Sequence, residues 1–529
     1  MTQLPAAFHR AHQHSAFPII LLLLINLIAG LLTFQGYGLS WDEPLFYDYA
    51  DSIKLAYTPA AFSPTFDFEQ VYGPSATDHK YYGPAYLLAA RPLQQAVTAL
   101  GADRAAAWHL VNFLAFQIGL LFFFLLLRRW FDPWPAALTV AFFAWQPVFW
   151  GHAFINPKDA PFLTSFIVAV TLGFWMVDSF LEENPKGLTD TPKKPLSHKK
   201  TFRVLLVALA GLVVFAYFLL EKKWRATPAF MLYGLVALAI MFVCWPFLWA
   251  SPVERVQEVI GHMSYNPTQL AVLFMGQMYR AATLPHRYFP QMLAVTLTEP
   301  TWMLFALGTA LAVYKIWWKK EGRFLSALLV LVSWFGLMAV YILLKKPPMY
   351  DGFRHFLFSI PPVFVMAGFV FQFLYEKAST HSAQGLRTRL LFAGAVALIL
   401  LPGMLGIARL YPYEYSYYNS FVGGTGGAYR SYETDYWLTC YKESLAWIRA
   451  NAPDKTIHVQ REFPLAEYYG AGLTLKDLGP EKESDIHPGD LLLFSTRADL
   501  DRRSIYRNVP VIHSIGREGA DFCLIKEKR

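Results

Sequence analysis

The chain has 529 residues, of which 55% are hydrophobic and only 16% are charged, and its mean hydropathy is +0.31. Soluble proteins carry about 25% charged residues, so this deficit argues against an ordinary soluble protein and favours a chain embedded in a bilayer, where lipid cannot solvate ions. The net charge of +8 sits in short basic clusters between apolar runs, which membrane topology explains better than nucleic-acid binding, because cytoplasmic loops collect Lys and Arg.

Apolar runs recur along the first four fifths of the chain, and a run of about 20 residues is enough to cross a bilayer. About ten runs reach or approach that length: 17–35, 107–127, 136–150, 161–181, 203–220, 228–249, 301–318, 324–344, 356–375 and 389–410. None carries a charged residue near its centre. No small-residue cleavage site follows the first run, so we expect a retained span rather than a cleaved signal peptide.

Three long polar connections, 36–104, 250–300 and 345–355, separate these runs. Strict alternation through ten spans from a cytoplasmic N-terminus would place the basic segments 315–323 and 377–389 outside, against the positive-inside rule. Either the short run after residue 203 does not cross fully, or one further crossing lies nearby. Both possibilities give an odd number of crossings, about 9–11 by the length criterion, and place the three loops on the outer face with the tail.

The character of the sequence changes after Leu410. We therefore predict a polytopic α-helical membrane domain over 1–410 and a small soluble extracytoplasmic α/β domain over 411–529. The tail elements are a helix and four short strands: 441–450, 456–460, 490–495, 511–515 and 522–525. Of the three cysteines, Cys244 is read as a small buried hydrophobe, whereas Cys440 and Cys523 pair only if the tail is extracytoplasmic, which their spacing leaves open.

Two adjacent acids, Asp42 and Glu43, follow the first span directly. An acid at a membrane interface, partly shielded from water, can act as a general base. The alternative is an N-cap, because Asp42 precedes Glu43-Pro44 at a plausible helix start. Composition alone leaves both interpretations open.

A second acid, Asp159, lies on the short outer turn between two spans. Capping of the following helix is again the alternative. Under the predicted topology Asp42 and Asp159 belong to the same membrane face, so two separate loops bring carboxylates to one surface.

The segment 345–355 adds Lys345, Lys346, Arg354 and His355 beside a membrane interface. Cationic groups in this position suit a lipid-borne phosphate, since Lys supplies a point charge and Arg a bidentate fork. Snorkelling anchors are the alternative, although such anchors are expected mostly on the inner face. His262 and His286 have no metal-ligand spacing, so no metal is assigned, and a requirement for a divalent metal stays open.

These residues resemble those of GT-C fold glycosyltransferases of the glycosyltransferase 39 type, the protein O-mannosyltransferases and the lipid A aminoarabinose transferases. The matching elements occur in order over about residues 15–440: Asp42-Glu43 with Phe46, Tyr47 and Ala50, then Tyr81-Tyr82-Gly83-Pro84, Asp159, Arg354-His355-Phe356 with Pro361-Pro362, Tyr411 to Tyr415, Asn419, and Glu433 with Asp435-Tyr436-Trp437. The sequence departs from the pattern in two respects. Residues 182–228 are polar and short where the family has a pair of short helices, and the metal ligands of some relatives have no clear counterpart.

The resemblance implies an inverting transfer of a sugar from a polyprenyl-phosphate carrier to an acceptor hydroxyl on a protein, lipid or glycan, at the outer face of a bacterial inner membrane. It implies Asp42 as the general base and Asp159 as an acid that orients either the acceptor or the Asp42 side chain. Glu43, which follows Asp42 directly, would give structural support. Lys345, Lys346, Arg354 and His355 would bind the donor phosphate, where developing charge needs stabilisation. Tyr81 and Tyr82 would contact substrate.

A transporter or flippase of a lipid-linked saccharide is the rival hypothesis. Transporters place ionisable residues in the middle of the membrane, whereas the span centres here carry none and the acids collect in one set of loops. A purely structural membrane protein would not need acids and cations converging on one face. The sequence therefore favours an interfacial enzyme.

Overall fold

The computed structural model describes residues 15–74, 79–181, 227–264, 270–380, 385–478 and 486–529. Its helices, labelled α1 to α19 in chain order, are Phe17–Thr33, Glu43–Ser52, Ala85–Ala99, Arg104–Leu127, Pro133–Ala144, Pro147–Ile155, Asp159–Leu181, Thr227–Cys244, Pro252–Ser264, Tyr288–Thr296, Pro300–Trp317, Leu325–Val330, Leu337–Lys345, Pro361–Thr380, Gly385–Leu410, Gly424–Ala428, Tyr441–Asn451, Phe463–Tyr469 and Leu500–Arg503. Several begin with proline in the first turn, where the missing N–H has no helical partner to lose.

Three helical segments in the described part of the chain are long and apolar enough to cross a bilayer: Arg104–Leu127, Gly322–Lys345 and Gly385–Leu410. A fourth is obtained if the bent pair α5 and α6 counts as one span. The segment Gly322–Lys345 includes α12, a π-helical turn at Leu331–Gly336, and α13. The apolar helices Phe17–Thr33, Asp159–Trp175 and Gly234–Cys244 are shorter. The odd crossing count stays a prediction, and the run 203–220 lies outside the described residues.

The predicted run 136–150 is not one straight helix. Helices α5 and α6 meet at Trp145-Gln146 with a bend of 69°. Pro147 begins α6, and since proline has no N–H to continue the preceding helix, the chain turns there. The run 356–375 is also modified: Arg354–Ser359 forms a 3-10 turn and helix α14 starts only at Pro361.

Large apolar side chains are exposed along several of these helices. Examples are Leu32 on α1, Leu235 on α8, Leu344 on α13 and Leu398 on α15, each more than half exposed. Soluble proteins rarely leave extended apolar surface in water. This surface therefore favours a lipid environment around the helices.

The long connections carry their own structure. Residues 36–104 hold α2, α3 and three 3-10 turns, and residues 250–300 hold α9, α10 and a hairpin that the sequence did not predict. The hairpin strands β1 (Ala271–Phe274) and β2 (Gln277–Arg280) pair antiparallel. These segments therefore contain regular secondary structure and are not extended loops.

The tail contains a five-stranded mixed sheet, which confirms the predicted α/β character. Strands β3 to β7 are Thr456–Val459, Thr474–Asp477, Leu491–Ser495, Val511–Arg517 and Ala520–Glu527, in the spatial order β4-β3-β5-β7-β6. Strands β4, β3 and β5 are parallel, and β7 and β6 complete the sheet antiparallel. Helix α17 matches the predicted helix, whereas β4 was not predicted.

Segment 411–440 is largely buried and joins the helices to the tail sheet. A disulfide between Cys440 and Cys523 ties its end to strand β7. Arg517 reinforces the junction through Glu443 (Nη2–Oε1 2.6 Å) and the backbone oxygen of Tyr411 (Nε–O 3.0 Å). The predicted boundary at 410–411 thus falls at the end of α15, but the tail is anchored to the preceding helices.

Candidate active site

Asp42 stands between α1 and α2, at the N-cap position of α2, but its side chain makes no capping hydrogen bond. The capping alternative therefore does not account for this carboxylate. Its Oδ2 atom instead lies 3.5 Å from Lys158 Nζ and 3.4 Å from Arg354 Nη1. The Asp42 side chain is 20% exposed, so it is shielded yet accessible.

Asp159 begins α7 and does not cap it either. Asn156 takes that role, because its Oδ1 accepts from the backbone N–H groups of Lys158 (3.1 Å) and Asp159 (2.8 Å). The Asn156 amide also donates to Asp159 Oδ2 (2.9 Å). The Asp159 carboxylate is thereby held toward Arg354, whose Nη1 lies 3.2 Å away.

Arg354 connects the two acids that the sequence singled out. Its Nη1 is shared between Asp42 and Asp159, and its Nε lies 3.2 Å from Asp351 Oδ2. Its guanidinium packs 4.4 Å from the ring centre of Trp437, and its side chain is only 1% exposed. The structure thus brings together Asp42, Asp159 and Arg354 from segments more than a hundred residues apart.

The charges around Asp42 set its protonation state. Burial by itself would raise the pKa of Asp42, but the nearby cations Lys158 and Arg354 outweigh that effect and lower it below its ordinary value. Asp42 is therefore ionised at neutral pH and able to accept a proton. Lys158 responds oppositely: burial would lower its pKa, and Asp42 raises it above the ordinary value.

Glu43 differs from Asp42 because it is fully buried. Its two oxygens accept from the backbone N–H of Ser40 (2.6 Å) and the hydroxyl of Tyr47 (2.5 Å), and His109 Nε2 lies 3.0 Å from Oε1. These contacts fix the loop before α2. Structural support is the role that this geometry favours.

The proposed phosphate ligands divide into two groups. Arg354 lies in the cluster around Asp42, whereas Lys345 and Lys346 are exposed at the end of α13, and no described contact joins them to the cluster. His355 is partly buried against Tyr350 (ring centres 4.7 Å apart). Burial, followed by repulsion from Arg354, lowers the pKa of His355 to about 3, so this side chain is neutral at pH 7.

Tyr81 and Tyr82 point to different neighbours. The Tyr82 ring lies 4.8 Å from Lys158 Nζ, which places it beside Asp42. The Tyr81 hydroxyl donates to Glu258 Oε1 (2.8 Å), and its ring stacks on His262 at 4.1 Å. Tyr82 therefore borders the cluster directly, whereas Tyr81 joins the loop to α9.

Three further residues belong to the cluster although the sequence analysis gave them no role. Lys158 directly precedes Asp159 in the chain, and that adjacency was the available signal. Asp351 lay within the segment 345–355 but was not singled out, and Arg497 carried no local signal at all. Arg497 Nη2 donates to Asp351 Oδ1 at 2.7 Å, and both side chains are buried.

A small cavity of about 10 Å³, room for about one water molecule, lies beside Arg354. It is lined by three tyrosines, His152 and the Asp351–Arg354 turn. His152 Nε2 is 3.0 Å from the Tyr436 hydroxyl, and its Nδ1 is 3.1 Å from the Asn156 amide. This network links the cavity wall to Asn156 and hence to Asp159.

No cluster with the composition of a metal site, three or more His, Cys, Asp or Glu side chains, occurs among the residues the structure describes. His262 is stacked on Tyr81, and His286 Nδ1 contacts the backbone oxygen of Leu343 at 3.2 Å. The two histidines that the sequence raised thus have different surroundings.

No protein-family model and no curated protein matches the chain. The chain is similar to the solved structure of the Archaeoglobus fulgidus oligosaccharyltransferase in the apo form, with 11% identity, coverage of 92% of this chain and 70% of that one, and a TM-score of 0.47. The archaeal oligosaccharyltransferase AglB from the same organism, with an inhibitory peptide and a dolichol-phosphate, gives the same identity and coverage and a TM-score of 0.45. At these scores the similarity assigns neither fold nor activity to this chain.

Proposed function

We propose that the chain is a membrane glycosyltransferase of the GT-C type, which transfers a sugar from a polyprenyl-phosphate carrier to an acceptor hydroxyl. One observation carries the proposal. The accessible carboxylate of Asp42 is held between Lys158 and Arg354, beside Asp159, where the ends of apolar helices meet. A base and cations in contact at such a place suit a reaction between a hydroxyl and a lipid-borne phosphate ester.

Asp42 acts as the general base in this proposal. It takes the proton of the acceptor hydroxyl while that oxygen forms a bond to the anomeric carbon. The bond from the anomeric carbon to the phosphate oxygen breaks, its electron pair stays on the phosphate, and polyprenyl phosphate leaves. A single displacement of this kind inverts the anomeric centre. Because its pKa is lowered, Asp42 is in the basic form throughout the neutral range.

The cations near Asp42 have different roles in this proposal. Lys158, whose side chain is 18% exposed, is the accessible cation beside Asp42, and we assign it to the departing phosphate. Arg354 is buried against carboxylates and acts by fixing Asp42 and Asp159 relative to each other. Asp159 orients the acceptor. Lys345 and Lys346 are proposed to hold the donor phosphate as it arrives along the exposed end of α13.

We place the site on the extracytoplasmic face of a cell membrane, in a bacterial inner membrane. The Cys440–Cys523 disulfide supports this placement, because structural disulfides persist in oxidising compartments and are rare in the cytosol. The tail that carries the disulfide contacts the Asp42 cluster through Arg497. The site and the tail therefore share one side of the membrane.

The test compares lipid extracts of cells with and without the protein. We expect cells that lack it to accumulate a sugar-carrying polyprenyl phosphate. Wild-type protein and Asp48→Asn should clear that lipid, whereas Asp42→Asn should not. Asp48 is the matched control because it lies on α2, the helix that Asp42 precedes, is more exposed and pairs with Arg104 (3.5 Å) rather than with the cluster.

The loss of turnover in Asp42→Asn should be about 10²–10⁴-fold, the usual contribution of a general base. Purified Asp42→Asn protein must remain folded and monodisperse in detergent. Normal turnover in that variant would overturn the base assignment. Movement of a lipid-linked saccharide across proteoliposomes without any transfer would favour the flippase instead.

A further inference from the structure

We propose that Arg497 of the tail is a positioning residue for the candidate active site, which acts through Asp351 on Arg354. The inference rests on the proposed function and extends it. On this proposal the tail sheet helps to position the residues of the site and does not merely cover the membrane helices.

The sheet topology explains how a tail residue reaches the cluster. Strands β3 and β5 are parallel neighbours, so their carboxyl ends lie at the same edge. Arg461 follows β3 and Arg497 follows β5, and both guanidinium groups pack on the ring of Trp41, at 5.1 Å and 4.6 Å from its centre. The tail therefore docks on the residue directly before Asp42.

Two buried ion pairs then connect Arg497 to Arg354. Arg497 Nη2 lies 2.7 Å from Asp351 Oδ1, and the opposite oxygen of Asp351 lies 3.2 Å from Arg354 Nε. Arg354 in turn contacts both Asp42 and Asp159 through Nη1. Asp351 is thus a shared carboxylate whose two oxygens face two different guanidinium groups.

The backbone around Arg497 is held in an unusual conformation. Ala498 and Asp499 both have a positive φ of 52°, a conformation that non-glycine residues rarely adopt. Glu433 accepts from the Ala498 N–H (3.2 Å), and Arg430 Nη1 is 2.6 Å from Asp499 Oδ1. Such conformations persist only where the surroundings enforce them and are concentrated at functional sites.

The partner turn shows the same feature. Asp351 and Gly352 have positive φ values of 56° and 70°. Besides Arg354 and Arg497, the groups near Asp351 are Asp42, Arg461, Glu433 and the phenols of Tyr288, Tyr350 and Tyr436. Only the two buried guanidinium groups contact its carboxylate as cations in the described part of the chain. Removal of Arg497 leaves one of them.

The consequence is a defined pH effect. Burial already raises the pKa of Asp351, and Arg497 is the strongest of the groups that oppose this rise. In Arg497→Met the carboxylate should take up a proton at higher pH, which releases Arg354. Turnover should then fall at least tenfold at pH 6 but less at pH 8, with little change in the KM of the acceptor. A merely structural loss would lower turnover by the same factor at every pH.

The experiment measures kcat and KM of purified full-length protein between pH 5.5 and 8.5 for Arg497→Met, Arg497→Lys, Asp351→Asn and the double variant Asp351→Asn/Arg497→Met. Arg497→Lys should recover part of the activity and the wild-type pH profile. The double variant should match Asp351→Asn, because Arg497 acts through Asp351. Arg517→Met is the control, since it breaks a tail contact made to Glu443 and Tyr411 instead of the cluster.

Three outcomes separate the two proposals. Absence of transfer in the wild type overturns the proposed function and this inference with it. Transfer that Asp42→Asn abolishes, but that Arg497→Met lowers equally at all pH values and independently of Asp351→Asn, overturns the inference alone. An Arg497→Met profile that matches the Arg517→Met profile also overturns it.

Discussion

Arg354 is the residue whose loss should affect the cluster most. In Arg354→Gln the carboxylates of Asp42, Asp159 and Asp351 lose their shared cation. Asp42 keeps Lys158 at 3.5 Å, Asp159 keeps the Asn156 amide at 2.9 Å, and Asp351 keeps Arg497 at 2.7 Å. The variant should therefore fold, but with excess negative charge in a poorly solvated site.

The magnitude follows from the distances. Two unit charges 3.4 Å apart, the separation of Arg354 and Asp42, attract by about 5 kcal/mol at an effective dielectric constant of about 20. Solvent at the partly exposed Asp42 reduces that value. Breaking one side of a buried ion pair typically costs about 3–5 kcal/mol, so we expect a loss of this order in the free energy of unfolding at pH 7.

The sign of the pH dependence is also fixed. The lowered pKa of Asp42 contributes stability that is present above its unfolded pKa and lost as pH falls through the lower folded pKa. Arg354→Gln removes part of that contribution. The stability difference between wild type and variant should therefore be close to its full size from pH 7 down to the ordinary pKa of an aspartate, about 4, and shrink below it as Asp42 takes up a proton. The acid limb of turnover should move to higher pH in the variant.

The assay is denaturant unfolding in detergent at pH 2.5, 4 and 7, together with the pH profile of turnover. Arg517→Gln is the matched control, because its carboxylate partner Glu443 is near the surface and such a pair contributes about 0–1 kcal/mol. If Arg354→Gln unfolds like Arg517→Gln and keeps the wild-type acid limb, the electrostatic reasoning about the cluster is wrong.

Three other changes test separate parts of the structure. Glu43→Gln should lower stability by about 1–3 kcal/mol and leave turnover per folded molecule within severalfold of wild type, as thermal unfolding and initial rates will show; loss of turnover without loss of stability would contradict a supporting role. Tyr82→Ala should raise the donor KM several-fold while Tyr82→Phe should not, because Lys158 lies over the ring. An equal rise of the donor KM in both variants would show that the ring contact with Lys158 is not the cause. Burial raises the pKa of Glu414 from its ordinary value to about 8, so the folded state keeps a proton that the unfolded state has lost, and stability falls as pH rises toward 8. The melting temperature of Glu414→Gln should therefore fall less between pH 6 and pH 9 than that of wild type. Identical slopes of melting temperature against pH would contradict this.

The sequence predicted the apolar helices because long apolar runs carry their own signal, and it placed Asp42, Asp159 and Arg354 on one face by topology. The bend between α5 and α6 was not predicted, since the run 136–150 has the same composition straight or bent. Only Pro147 indicated it.

The rest of the cluster depends on tertiary contacts. Arg497 and Asp351 are 146 residues apart in the chain, and no spacing rule relates a turn after a tail strand to a loop between helices. The capping alternatives for Asp42 and Asp159 had a similar limit. A cap and a catalytic acid occupy the same sequence position, and only side-chain direction distinguishes them.

The disulfide between Cys440 and Cys523 of strand β7 also allows the chain to be labelled at one position. With three cysteines in the whole sequence and two of them joined, Cys244 is the single free thiol, so a thiol reagent applied without reductant labels one position on α8. Production in a reducing cytosol would leave three reduced thiols and a tail without its crosslink. The crosslink itself therefore needs oxidising conditions during preparation of the protein.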